Sequence, residues 1–303
     1  MLEPEIIAKI SSISSVLEVS GYPKPGNVHR TRNFPDMVFE DFLISGIVTG
    51  DIIRKAAIQA TNINNETSYK NAEIGKFILL AVSETDKWIK NNTNLGIMMM
   101  EVPIAQATAI SNNFDDIQEN ISKLLINTTV DDAVNLYDAI NIADAGGMGT
   151  QEDFDVQSEN AKEELRKNNQ TMYDVLEISA GWDQLAFELT NKMSKTFEIG
   201  FPTFHRLKKE KSNNTATILT FLTILSKVPD TLISRKYGKE QAEKISENAK
   251  TLLNEFGEDY FQKDLIYFDN YLYENGFNPG TTADLTAASI MLSYIKDEME
   301  KEV

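Results

Sequence analysis

The chain has 303 residues, 46 acidic against 29 basic side chains and a formal net charge of −17. That length supports a sizeable core, and that charge disfavours duplex nucleic acid or an anionic membrane surface as partner while leaving room for a small anion held by a local cation cluster. The absence of cysteine and the presence of only two histidines, His29 and His205, remove disulfides, thiolate metal sites and cysteine nucleophiles and direct any metal to hard oxygen ligands.

Residues 1–22 carry early acids and no basic segment ahead of an apolar core, so they do not read as a secretory signal. No run approaches the roughly 18 consecutive apolar residues of a membrane span. The expectation is a soluble, cytoplasmic protein. Apolar residues at helical spacing predict helices over 42–57, 71–90 and 95–110, the last kinked at Pro103. Thr129 is placed to cap a helix over 130–143, with Asp131 and Asp132 in its first turn. Further helices are predicted at 171–193, 213–227, 238–256, 260–275 and 282–300, with 146–170 as a long loop. Neither hairpin signals nor sustained alternation occur. The fold expected is all-α, a single domain over 1–303.

Four loop-like stretches interrupt this background. The first, Tyr22-Pro23-Lys24-Pro25-Gly26-Asn27-Val28-His29-Arg30, is stiffened by prolines and gathers Lys24, His29 and Arg30, with Arg32 beyond. Such a cluster suits phosphate oxygens; a turn with solvated basic side chains is the plain alternative. The second places Asp36 and Glu40 four apart, on one face if a helix has begun, where they could hold Mg²⁺ or simply start the helix. The third, Asp144-Ala145-Gly146-Gly147-Met148-Gly149, has more glycine than a helix end requires and would let a ligand approach the backbone. It is not a dinucleotide fingerprint, because no strand precedes it. The fourth runs from Asn278 through Gly280, Thr281, Thr282 and Asp284 into the last helix. Its backbone and hydroxyls suit an anion and Asp284 a metal or a hydroxyl proton, while Thr281 with Asp284 could equally form a capping box. Within predicted helix, Asp183 and Glu188 stand five apart, and Asp230 precedes Arg235 by five, as an ion pair or a ligand contact. His205 reads as ordinary packing or surface.

Taken in order, these landmarks resemble the triphosphoribosyl-dephospho-CoA synthase family over residues 18–292. They are Pro23-Lys24-Pro25-Gly26, Asp36-Met37, Asn94-Leu95-Gly96 with Pro103, Gly146-Gly147-Met148-Gly149, Asp183 with Glu188, Pro229-Asp230-Thr231 with Arg235, and Pro279-Gly280 with Ala283-Asp284-Leu285. The resemblance implies an α-helical, Mg²⁺-dependent transferase. It would join the triphosphoribosyl group of ATP to 3′-dephospho-CoA, release adenine and form the precursor of an acyl-carrier prosthetic group. Asn27-Val28-His29 replaces the Leu-Val-Asp that follows this motif in bacterial members, and the C-terminal motif also departs from theirs. Both departures are similar to a divergent, archaeal-like branch.

On that resemblance Lys24, Arg30 and Arg235 would hold the triphosphate. Gly26, Asn27, His29, Asn94, Gly146, Gly147, Gly280, Thr281 and Thr282 would line the substrate. Asp36, Asp183 and Asp284 would hold Mg²⁺, with Glu40 and Glu188 in reserve. Asp183 or Asp230 would be the base for the attacking 2′-hydroxyl. The expected partners are ATP and dephospho-CoA or a related acceptor, with a homodimer allowed and neither nucleic acid nor membrane. Two alternatives stand beside this: a Mg²⁺-dependent hydrolase of an N-glycosidic bond, and a nucleotide-binding regulator without turnover.

Overall fold

Helix follows helix along the chain, and no strand occurs beyond one isolated bridge between His29 and Arg32. These statements cover residues 1–63, 65–143, 158, 160–257 and 261–301 of a computed structural model. The helices are α1 (Pro4–Ser20), α2 (Phe39–Val48), α3 (Gly50–Ala60), α4 (Ile74–Trp88), α5 (Leu95–Ile110), α6 (Ile117–Ile126), α7 (Val130–Ile142) and α8 (Ala161–Lys167). They continue with α9 (Met172–Ser179), α10 (Gln184–Thr190), α11 (Phe201–Leu207), α12 (Asn213–Lys227), α13 (Thr231–Tyr237), α14 (Lys239–Phe256), α15 (Gln262–Glu274) and α16 (Gly280–Lys301). The all-α expectation holds.

Several boundaries differ from expectation for local reasons. The helix predicted over 42–57 divides at Thr49, which ends α2 and starts α3. The one predicted over 171–193 divides because the Asp183 carboxylate caps a new start, accepting the N–H groups of Leu185 and Ala186. Asp230 does the same for α13, which lies between the helices predicted over 213–227 and 238–256. Helix α5 continues through Pro103. Thr129 caps α7 as expected, and the Asp132 side chain returns the bond to the Thr129 N–H. Helices α1, α6, α8 and α11 were outside the predicted set. The buried face of α1 includes Ser11, Ser14 and Ser15, which hides its apolar periodicity.

Two apolar clusters fill the interior. One joins α1 and α3 to α10; the other joins α11 to α15. Helix α16 belongs to both, giving Ala287, Met291 and Ile295 to the first and Ala283 and Ile290 to the second. Its N-terminal turn therefore lies where the two meet. Helix α1 packs along α16 and ends at the loop that opens with a cis Tyr22–Pro23 bond.

One polar group is sealed inside the first cluster. Glu101 of α5 is fully buried and accepts the hydroxyls of Ser11 at 2.5 Å and Ser14 at 2.7 Å. Burial raises its pKa to about 8 against the pull of those hydroxyls. The folded chain thus keeps this proton up to about pH 8, whereas the unfolded chain releases it near the ordinary value of 4.5. The stability it contributes is complete below the unfolded value and is lost as pH rises towards the folded one. Urea unfolding of the parent and of Glu101→Gln, compared from pH 5 to 8, should show the parent losing roughly 1 kcal/mol per pH unit relative to the variant.

Candidate active site

A cavity of about 440 Å³ opens where α16 begins, a size suited to an organic ligand. The loop after α1, the first turns of α5, α10 and α16, and parts of α7, α9 and α13 wall it. One side is charged, with Glu18, Lys24, Asp183, Arg235 and Asp284, and with Asp36 and Lys236 exposed at the rim. The other side is apolar.

The loop reaches the cavity in only two of its expected places. Asp269 of α15 accepts the Gly26 N–H at 3.0 Å and the Arg32 Nε–H at 2.8 Å, and lies 3.1 Å from His29 Nε2. Gly26 has φ +72°, and a Cβ there would stand 2.4 Å from the Phe277 carbonyl oxygen, so only glycine lets the loop seat. Seated this way, Lys24 and Asn27 line the cavity, while Gly26, His29 and Arg32 serve the anchor behind it. Arg30 turns back to the Ser20 carbonyl and Asn214. The expected cation cluster is therefore divided, and His29 and Arg30 leave the set of cavity-lining groups.

Each cation lining the interior is held by an acid. The Lys24 ammonium donates to Glu18 Oε1 at 2.5 Å, and both side chains are 2% exposed. Burial nonetheless pushes the Glu18 carboxyl upward, with Lys24 opposing. Arg235 pairs with Asp183 Oδ2, while its own Nε–H is buried without a partner among the described residues. Asn94 lines the cavity and donates to Thr85 at 2.8 Å. Gly280 and Thr281 line it from the first turn of α16; Thr282 does not.

The carboxylates sort by what they already hold. Asp230 is buried and accepts four donors: the N–H groups of Leu232 and Ile233 on Oδ1, and the N–H and hydroxyl of Thr282 on Oδ2. A carboxylate has about four acceptor sites, so none remains for a substrate proton. This corrects its assignment as a base. Glu188 is likewise filled, by Gln184, the N–H groups of Lys195 and Thr196, and the Thr196 hydroxyl. It fixes the turn after α10 and lies outside the cavity, which corrects its assignment as a metal ligand. Glu40 is exposed on α2, also outside. Because α2 starts only at Phe39, Asp36 and Glu40 do not share a helical face.

Asp284 differs from all of these. It lies against Gly96, where a Cβ would stand 2.2 Å from its Oδ2, so the glycine gives the carboxylate its space. No hydrogen bond or ion pair reaches it from the described residues. The capping box with Thr281 does not form, since α16 already begins at Gly280. Burial raises its pKa well above the ordinary range, and the negative charges of Glu18, Asp230 and Asp183 add to this against Arg235.

Gly146 and Gly147 lie outside the described residues. Sequence reasoning missed Glu18, Lys236 and Trp182. An acid between Leu17 and Val19 was the available signal for Glu18. Among the described residues no three acidic or histidine side chains gather as a ready metal site.

Fold and cavity together define an all-helical protein whose site joins paired charges and two long-helix N-termini to an apolar wall, an arrangement suited to a phosphate-bearing organic ligand. The chain belongs to the CitG family, described as ATP:dephospho-CoA triphosphoribosyl transferase, whose profile matches residues 4–303. It is accordingly a transferase that joins the triphosphoribosyl group of ATP to dephospho-CoA. A crystal structure from Archaeoglobus fulgidus, provisionally named a triphosphoribosyl-dephospho-CoA synthase, shares the fold at a TM-score of 0.61 and 24% identity, covering 80% of this chain and 97% of that one. No curated protein matches the sequence.

The double cap on Asp230 has a measurable consequence. Asp230→Ala leaves four buried or partly buried donors without their acceptor and should lower the unfolding free energy by about 3 kcal/mol, read from denaturant titration.

Proposed function

We propose that this cavity is where the triphosphoribosyl group passes to the 2′-hydroxyl of 3′-dephospho-CoA, with Asp284 as general base. The state of Asp284 supports this reading: it faces the cavity, and among the three acids of the cavity interior Glu18 is paired with Lys24 and Asp183 with Arg235, while Asp284 has no donor or cation partner among the described residues. A carboxylate set in a cavity wall with no partner costs stability, and that cost is characteristic of a functional group. Its raised pKa makes it a stronger base than an ordinary carboxylate. This moves Asp284 from the metal set to the base, a role for which Asp183 is less suited, being committed to two N–H groups and Arg235.

Asp284 takes the proton of the 2′-hydroxyl as its oxygen bonds to C1 of the ATP ribose. The bond from C1 to adenine breaks, and adenine takes up a proton as it leaves, so the count closes. Positive charge develops on the ribose, and the neighbouring carboxylates Glu18 and Asp183 favour it. Arg235, held by Asp183 with its Nε–H free of other described partners, donates to the triphosphate. Lys24 and Lys236 add charge on the same side, and the first turns of α5 and α16 add their dipoles.

The donor set fits Mg²⁺ as a companion of the triphosphate. It is all oxygen, and Mg²⁺ commonly takes one or two carboxylates with phosphates and water completing its shell. Asp183 and Asp36 would hold it. When bound it would neutralise phosphate charge.

Adenine release from ATP and Mg²⁺, followed with and without dephospho-CoA, tests the reading. Release should require the acceptor, with the joined product seen by mass spectrometry. Acceptor-independent release points to hydrolysis, and tight ATP binding without release points to a regulator. Asp284→Asn should lower kcat by about 10³-fold at every Mg²⁺ concentration, and the acid limb of the parent's rate profile should lie above the usual carboxylate range. Asp36→Asn should instead raise the Mg²⁺ needed for half-maximal rate. Rescue of Asp284→Asn by added Mg²⁺ returns Asp284 to the metal.

A further inference from the structure

The apolar side of the cavity has no part in the chemistry above. Leu136 and Ile140 of α7 and Leu176 and Ile178 of α9 line it, with Trp182 at its border with Asp183. Ile178 is 50% exposed, so half of its surface is left uncovered by the described residues. An apolar surface left open inside a binding cavity is there for a ligand to cover.

The two substrates differ in what they can offer this wall. ATP is a base, a ribose and a triphosphate. Dephospho-CoA carries in addition a long uncharged pantetheine arm, with a dimethyl-bearing carbon, two amides and a thiol. Adenine would need donors and acceptors along its edge. The wall supplies mainly aliphatic side chains, with Tyr137 of α7 among them, and the Ser179 hydroxyl is already directed to the carbonyls of Val175 and Leu176. Three cavity-lining residues have a buried polar atom with no partner among the described residues: Arg235 (Nε) and Asn278 (Oδ1), at α13 and just before α16, and Thr93 (Oγ1), 5% exposed and just before α5. The turn of Thr93 adjoins the end of α7, where Asn92 and Asn94 share a recess with Ile142 and Ala143. A mainly apolar wall with the unpartnered Thr93 hydroxyl beside it matches an apolar chain bearing amides.

We propose that this wall seats the pantetheine arm of the acceptor, with Leu176 and Ile178 as its packing surface and Thr93 as partner to one amide. The assignment rests on the transfer reading above. It makes the wall the part of the site that selects dephospho-CoA over a bare nucleotide.

Steady-state kinetics of the full chain tests it, with 4′-phosphopantetheine, the arm without its nucleoside, as inhibitor. In the parent it should compete with dephospho-CoA and not with ATP. Ile178→Ser, at a half-exposed position, should raise KM for dephospho-CoA about tenfold, weaken the fragment's inhibition in parallel, and keep KM for ATP within about twofold. Thr93→Val should act in the same direction on the same two quantities. A rise in KM for ATP instead would place the adenine of ATP on the wall and overturn the proposal. Unchanged inhibition by the fragment in both variants also overturns it. Failure of the transfer reading is distinct: the parent then makes no joined product, before any variant is compared.

Discussion

The Asp230 carboxylate is shared between two helices. One oxygen caps α13, and the other takes the N–H and hydroxyl of Thr282 in α16. Arg235 follows on α13 and Asp284 on α16, so the cation and the unpartnered carboxylate of the cavity are placed by the same buried group. Beside it the Thr231 and Thr281 hydroxyls meet at 3.2 Å, and the Gln184 N–H donates to Thr231 Oγ1 at 3.2 Å. That last bond brings in the start of α10, and with it Asp183. The site is built from helix starts because their free N–H groups need acceptors, and the acids that satisfy them hold the helices together.

Charge is distributed to the same end. On a chain of net charge −17, the cavity holds its interior cations in place with acids. Buried pairs of this kind add little stability, since desolvation offsets their attraction. They fix direction instead. Lys24 and Arg235 are held ready in position, which lowers the reorganisation needed when a polyanion arrives. Asp284 is the exception that has no such partner, and its neighbours raise its affinity for a proton.

The sequence shows most of the fold and part of the site. Long apolar stretches are legible because they must be buried, 95–110 on nearly every side and 213–227 over most of its surface. Helix α1 is hidden because its buried face carries serines that Glu101, far along the chain, makes acceptable. At the site, the positions that matter are visible as acids, glycines and prolines beside helix ends, but their roles are not. Asp183, Asp230 and Asp284 each stand at or near a helix start, and an acid there reads equally as cap or ligand.

The order of its landmarks is what the sequence by itself determined: the helical class, the family and the stretches that meet at the cavity. Tertiary structure decided which side chain does which work. Asp269 draws His29 and Arg32 behind the loop they share with Lys24, from more than 230 residues away. Four donors fill the oxygens of Asp230, while Asp284, on the cavity, has no donor among the described residues. A carboxylate's chemistry depends on the donors and charges within a few ångströms of it, and here these come from helices remote in the chain.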